Sequence, residues 1–142
     1  MNSNHAIGFL FERTTRIIKL RFHQLFKEHG INISPEQWVV LDILYPDNVL
    51  SQKELVAKSF KDAPSISRIL LKLIANGFIN KQVHEEDKRL FKIQLTEEGR
   101  NIVSILNPEV VKLRNIGLAS FDDDEVSSLL DKINRIFDNY SK

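Results

Sequence analysis

The chain has 142 residues and a mass of 16.5 kDa, and its net charge of +1 balances 20 basic against 19 acidic side chains, which fits one compact subunit and is small for two independent cores. The absence of cysteine excludes disulfides, thiolate metal sites and cysteine nucleophiles. No apolar run approaches the roughly 18 residues of a membrane span, and Met1 to Ala6 lacks a basic stretch leading into a hydrophobic one, so a cytoplasmic location is expected.

From about Ile7 to His29, Leu10, Ile17, Leu20 and Leu25 alternate with Arg13, Arg16, Lys19, Arg21 and Lys27 at helical spacing, which predicts a long amphipathic helix ended by Gly30. After the linker Ile31 to Ile33, Ser34 with Gln37 forms a capping signature and Pro35 sits where its missing N–H costs nothing. That second helix carries Trp38, Val39, Leu41, Ile43 and Leu44, predicts burial on most sides, and stops before Pro46. Ser51 with Glu54 and Asp62 with Pro64 announce a short helix, a turn and a second helix reaching to Gly77.

Ile79 to His84 and Leu90 to Leu95 then read as two strands joined by the charged turn Glu85 to Arg89. Period-two alternation puts Phe91, Ile93 and Leu95 on one face as its packing, and Leu90, Lys92 and Gln94 on the other. A helix starts at Thr96, where Glu97 and Glu98 favour the positive end of a helix dipole, and Pro108 and Gly117 are expected to kink or interrupt it. Asp122 with Glu125 caps a last helix, whose Val126, Leu129, Leu130, Ile133, Ile136, Phe137 and Tyr140 recur at intervals of three and four.

Charge is sorted along this order. Between Ser51 and Leu95 nine basic side chains face five acidic ones, whereas from Phe121 onward six acidic side chains face three basic ones. Local sorting matters more for phosphate binding than the total. Helix, turn, helix and hairpin in succession is a DNA-reading order, and the predicted class is mainly α with a small β-hairpin wing. The outer helices carry more apolar surface than a minimal DNA-reading domain covers, which favours packing against a second copy in a two-fold dimer.

The residues resemble the MarR family of bacterial transcription regulators. The wing signature is D-x-R, strand, L-T and glycine, here Asp87, Arg89, Leu95, Thr96 and Gly99. Ser65-Ile66-Ser67-Arg68 with Leu73 and the Gly77-Phe78-Ile79 exit is similar to the recognition helix, and Ser34 to Leu41 is similar to the preceding helix of the family. Departures are Lys81 at the wing start, Leu71 on the recognition helix, and the acidic approach His84-Glu85-Glu86. The resemblance implies a single subunit over 1–142, with dimerisation helices at 1–30 and 100–142 and a winged helix-turn-helix at 34–99. It implies a homodimer on a pseudo-palindromic operator in double-stranded DNA, with a recognition helix in the major groove and a wing in the adjacent minor groove. It also implies a small lipophilic or phenolic effector bound between the dimerisation and DNA-reading regions.

On the recognition helix, Ile66, Ile69, Leu70 and Leu73 share one side, leaving Ser65, Ser67, Arg68 and Lys72 for the groove. Arg68 suits guanine, Lys72 a phosphate, and the serines permit close approach. Ser51 and Gln52 either hold a phosphate through backbone N–H groups or simply cap their helix. At the wing tip Arg89 suits a narrow minor groove, Asp87 shapes the turn, and Lys88 suits phosphate. Phe11, Phe22, Phe26 and Trp38 either line an effector pocket or, as is commoner at helical spacing, form core. His23 and His29 are six apart and do not share a helix face; with His5 and His84 elsewhere no metal ligands are assigned and no cofactor is expected. The leading expectation is a dimeric repressor of transcription released by a small molecule. The alternative is a winged-helix protein-interaction module without specific DNA binding. An enzyme is the weakest reading, since G-x-S-x-G and phosphate-cradling glycine loops are both missing.

Overall fold

The computed structural model describes residues 2–83, 86 and 91–142. Six helices and a hairpin follow in the order α1 (Ser3–Glu28), α2 (Pro35–Leu44), α3 (Gln52–Ser59), α4 (Ala63–Ala75), β1 (Ile79–Val83), β2 (Phe91–Leu95), α5 (Glu97–Gly117) and α6 (Asp123–Tyr140). Two compact units divide the chain, one from Met1 to Glu109 and the other from Val110 to Lys142. The first contains α1 to β2 and the first part of α5.

Capping chemistry sets the helix boundaries of the first unit. Ser34 Oγ accepts from the Gln37 backbone N–H at 3.1 Å and Ser34 N–H donates to Gln37 Oε1 at 2.9 Å. The Ser51–Glu54 pair repeats this reciprocal box at α3. Both α1 and α4 end in left-handed glycines. Gly30 has φ +69° and Gly77 φ +80°, and the next residue in each case donates back into the helix, Ile31 to Phe26 and Phe78 to Leu73, both at 3.0 Å. This six-to-one closure satisfies carbonyls that a helix end otherwise leaves bare. The long helix starts at Ser3, four residues before the expected Ile7.

As expected, α2 is enclosed: Trp38, Val40, Leu41 and Leu44 are buried and none of its residues is exposed. Leu55 of α3, Ile66, Leu70 and Leu73 of α4, and Ile79, Ile93 and Leu95 of the hairpin complete the core, with Phe26 from α1 and Val103 and Leu106 from α5. The strands pair antiparallel from Ile79 opposite Leu95 to Val83 opposite Phe91. The expected outer strand residues His84 and Leu90 lie outside the described residues. On its other edge β2 exchanges two hydrogen bonds with Leu50, at 3.0 and 2.8 Å, so the segment leading into α3 is pinned to the wing.

Two expectations need correction. Phe91 does not pack inward with Ile93 and Leu95; it is 39% exposed, and Lys81 Nζ stands 4.3 Å from its ring centroid, a cation–π contact toward the end of the strands that leads into their connection. Pro108 does not interrupt α5, which runs unbroken to Gly117. Pro108 and Ser104, whose carbonyl loses its helical partner, both lie on the exposed side, within reach of solvent, while Ile102, Val103 and Leu106 are buried.

The second unit is the end of α5 and α6. Asp122 caps α6 by accepting from Glu125 N–H at 2.8 Å, and Glu125 returns the bond at 3.2 Å. None of the apolar stripe of α6 is buried. Leu129, Leu130, Ile133 and Phe137 remain between 39% and 61% exposed.

Candidate nucleic-acid interface

The surface in question is built on α3 and α4. Asp62 caps α4, its Oδ1 accepting from Ser65 N–H at 2.7 Å. That backbone bond, a bond from the Ser65 hydroxyl and the nearby Arg68 charge hold the Asp62 carboxyl below its ordinary pKa. With Ile66, Leu70 and Leu73 buried, a helix advancing 100° per residue turns Pro64, Arg68, Leu71 and Ala75 directly outward. All four are exposed. Ser67 flanks this line on one side, and Ser65 and Lys72 on the other.

The predicted groove residues on these two helices are therefore brought together. Gln52 Nε2 donates to Ser67 Oγ at 2.7 Å, crossing from the first turn of α3 to the recognition helix. Arg68 Nη2 donates to Ser65 Oγ at 3.3 Å, and both its remaining donors and the Lys72 ammonium face outward. Ser51 caps α3: its hydroxyl oxygen accepts from Glu54 N–H at 3.1 Å and its own N–H donates to Glu54 Oε1 at 3.2 Å, which leaves the hydroxyl proton as a donor. Neither the Gln52–Ser67 bridge nor the Leu50–Ile93 pairing was visible in the sequence, because both link residues far apart in the chain.

The wing is held to this surface by Thr96. Its Oγ1 donates to the Gly77 carbonyl at 2.6 Å and accepts from Gly99 N–H at 3.0 Å, while its own N–H donates to the Phe78 carbonyl at 3.0 Å. One side chain thus caps α5 and latches the exit of the recognition helix. Gly99 packs so tightly on that exit that a Cβ there would overlap the Phe78 carbonyl oxygen. The L-T-x-x-G spacing follows from this geometry. Asp87, Lys88 and Arg89 at the wing tip lie outside the described residues.

The aromatic residues do not converge on a pocket. Phe26 and Trp38 are core, with ring centroids 5.6 Å apart, and Phe22 packs edge-on against Phe26 at 6.0 Å. Phe11 is 41% exposed, about 16 Å along α1 from Phe22. An open groove of about 330 Å³ lies elsewhere, lined by His23, Asn32, Ile33, Ser34, Gln37 and Lys72 among others. Beside it Lys19 Nζ bonds Glu36 Oε1 at 2.9 Å and ties α1 to α2. Partial burial pushes the Glu36 carboxyl up, but the Lys19 bond, its own backbone N–H and the charges of Lys19 and Lys61 outweigh it, leaving its pKa below the ordinary value. His29 Nδ1 lies 2.9 Å from the Leu25 carbonyl, an intrahelical contact. Among the described residues no three His, Asp or Glu side chains gather as metal ligands, and no helix is long and apolar enough to cross a membrane.

A helix-turn-helix with an outward cationic face, followed by a latched hairpin, defines a winged-helix fold. Comparison with known proteins shows what this arrangement is similar to. The MarR family model matches residues 33–91, from the α2 cap to the first residue of β2. The regulator SarZ of Staphylococcus epidermidis is 28% identical over 99 residues, which cover 70% of this chain and 66%, just under two thirds, of that protein. A solved complex of Staphylococcus aureus MepR with DNA has the same fold, with a TM-score of 0.84 at 19% identity, covering 94% of this chain and 97% of that one. So does PcaV of Streptomyces coelicolor in complex with its natural ligand, with a TM-score of 0.84 at 22% identity and coverage of 97% and 96%. Over residues 33–91 the chain is similar to the MarR family of transcriptional regulators.

Proposed function

We propose that this regulator works in the cytoplasm as a homodimer that represses transcription by binding a pseudo-palindromic site in duplex DNA. The observation that carries the reading is the outward face of α4, where Ser67, Arg68 and Lys72 stand free of the core while Gln52 fixes Ser67 from α3. Arg68 donates to a guanine edge, Lys72 neutralises a phosphate, and Ser65 and Ser67 allow the helix to sit deep in the major groove. Lys88 and Arg89 extend the contact through the wing, with Asp87 shaping its tip. That MepR has been solved on DNA supports this reading for a chain of the same fold.

Dimerisation is supported by the apolar side chains left in water by one copy. Ile7, Phe9, Leu10, Ile17 and Ile18 on α1 and Leu130 and Phe137 on α6 are all more than 40% exposed. Surfaces of this kind mark association sites. A small lipophilic or phenolic acid is proposed to release the DNA from the groove lined by Ile33, Gln37 and Lys72. An occupant there would draw Lys72 away from phosphate, which gives it the differential affinity that linkage requires.

Salt tests the reading. Binding to duplex DNA, followed by fluorescence anisotropy at several salt concentrations, is expected to fall on a line of log K against log[salt] with a slope of about −0.9 per phosphate contacted. Affinity independent of salt would contradict it and favour a surface for protein.

A further inference from the structure

One side chain on the DNA-facing surface has no part in the polar contacts described so far. Leu71 lies at the centre of the outward line of α4, opposite the core, and is 69% exposed. It is the most exposed large apolar residue of that helix. Its neighbours one turn away are Ser67, Arg68, Ile74 and Ala75, and Lys72 follows it, so hydroxyl and cationic groups form its rim on the N-terminal side and beside it, with Ile74, 38% exposed, on the C-terminal side. An apolar protein partner would have to strip water from that rim without returning its hydrogen bonds. A major groove answers both parts: phosphates and base edges meet the rim, and the one apolar group the groove presents, the thymine 5-methyl, meets the centre.

We propose that Leu71 is a base-reading residue that packs on the 5-methyl group of a thymine in each half-site. The inference rests on the DNA-reading assignment above and specifies what that surface selects. Leu71 stands three residues, just under one helical turn, from Arg68, a rise of about 4.5 Å. Base pairs repeat about every 3.4 Å. The thymine therefore falls within two base pairs of the guanine that Arg68 contacts.

The test uses the full chain and the duplex it protects in footprinting. Each thymine of a half-site is replaced in turn by deoxyuridine, which removes the methyl and leaves base pairing unchanged, and affinity is read by anisotropy at fixed salt. With the wild-type chain, one thymine per half-site is expected to cost about fourfold on replacement, the value of burying one methyl-sized group. With Leu71→Ala the same replacement leaves affinity unchanged, whereas Leu71→Met, still apolar, keeps the sensitivity. Equal thermal midpoints for the three chains establish that they are equally folded, as the exposure of Leu71 predicts. An equal loss in wild type and Leu71→Ala, or protection of a site indifferent to every thymine methyl, overturns this proposal and leaves the DNA-reading assignment standing. Protection of no duplex at any salt overturns that assignment and this inference with it.

Discussion

The turn between α3 and α4 holds Phe60 in the left-handed region, at φ 56° and ψ 26°, with 89% of its surface exposed. A side chain in that conformation costs roughly 1–2 kcal/mol through the clash of Cβ with the following carbonyl. Its exposure means that almost no packing offsets the strain. Glycine removes the clash and returns about 0.5–1 kcal/mol as lost freedom of the unfolded chain. Phe60→Gly should therefore stabilise the protein by about 0.5–1 kcal/mol, which for a chain of this length raises the melting midpoint by roughly 2–4 °C. Phe60→Ala keeps the left-handed Cβ and should stay within about 0.5 kcal/mol of wild type. Urea unfolding followed by the fluorescence of Trp38, the only tryptophan and 2% exposed, measures both at one fixed protein concentration, since association also contributes to stability. A glycine variant no more stable than the alanine variant would refute the strain argument.

Further variants test other parts of the account. Gly99→Ala should destabilise by about 2 kcal/mol, because the new methyl must displace the Phe78 carbonyl that Thr96 N–H bonds; urea midpoints check this. The Glu36 carboxyl, lowered mainly by Lys19, contributes stability that is present above its ordinary pKa of 4.5 and lost as pH falls through the lowered value. Glu36→Gln should flatten the decline of the melting midpoint below pH 4.5, and an unchanged decline would remove Glu36 as its source. Lys72→Ala should weaken binding about equally on all duplexes and make the salt slope shallower by about one contact, whereas Arg68→Ala should relax selectivity at one base pair by about 1–3 kcal/mol. Arg89→Ala should weaken DNA binding while the melting midpoint holds, and unchanged affinity in a gel shift at matched salt would remove it from the interface.

Local chemistry was what the sequence made legible. Ser34, Ser51, Asp62, Thr96 and Asp122 each carry a capping oxygen within three residues of its target N–H, so helix starts could be placed before any tertiary contact was known. Gly30 and Gly77 marked helix ends for the same reason. What escaped depends on distance along the chain. Gln52 and Ser67 are fifteen residues apart, and the Leu50 pairing to Ile93 crosses more than forty. Period-two alternation put Phe91 inward with Ile93, but the hairpin leaves its core at Ile93, and beyond that point alternation has no buried side to report. Pro108 shows the complementary limit, since the cost of a proline is a local property and the burial that outweighs it is not. Phe60 gave no signal, because a phenylalanine in a turn carries no mark of its φ.

The central claim is that two copies of this chain present two α4 helices to one face of duplex DNA. Footprinting the purified protein on the DNA flanking its own gene tests it most directly. The account predicts two protected half-sites related by a pseudo-two-fold axis, with centres about one helical turn apart. A single protected half-site, or no protection at low salt on that DNA and on random-sequence pools, would contradict it.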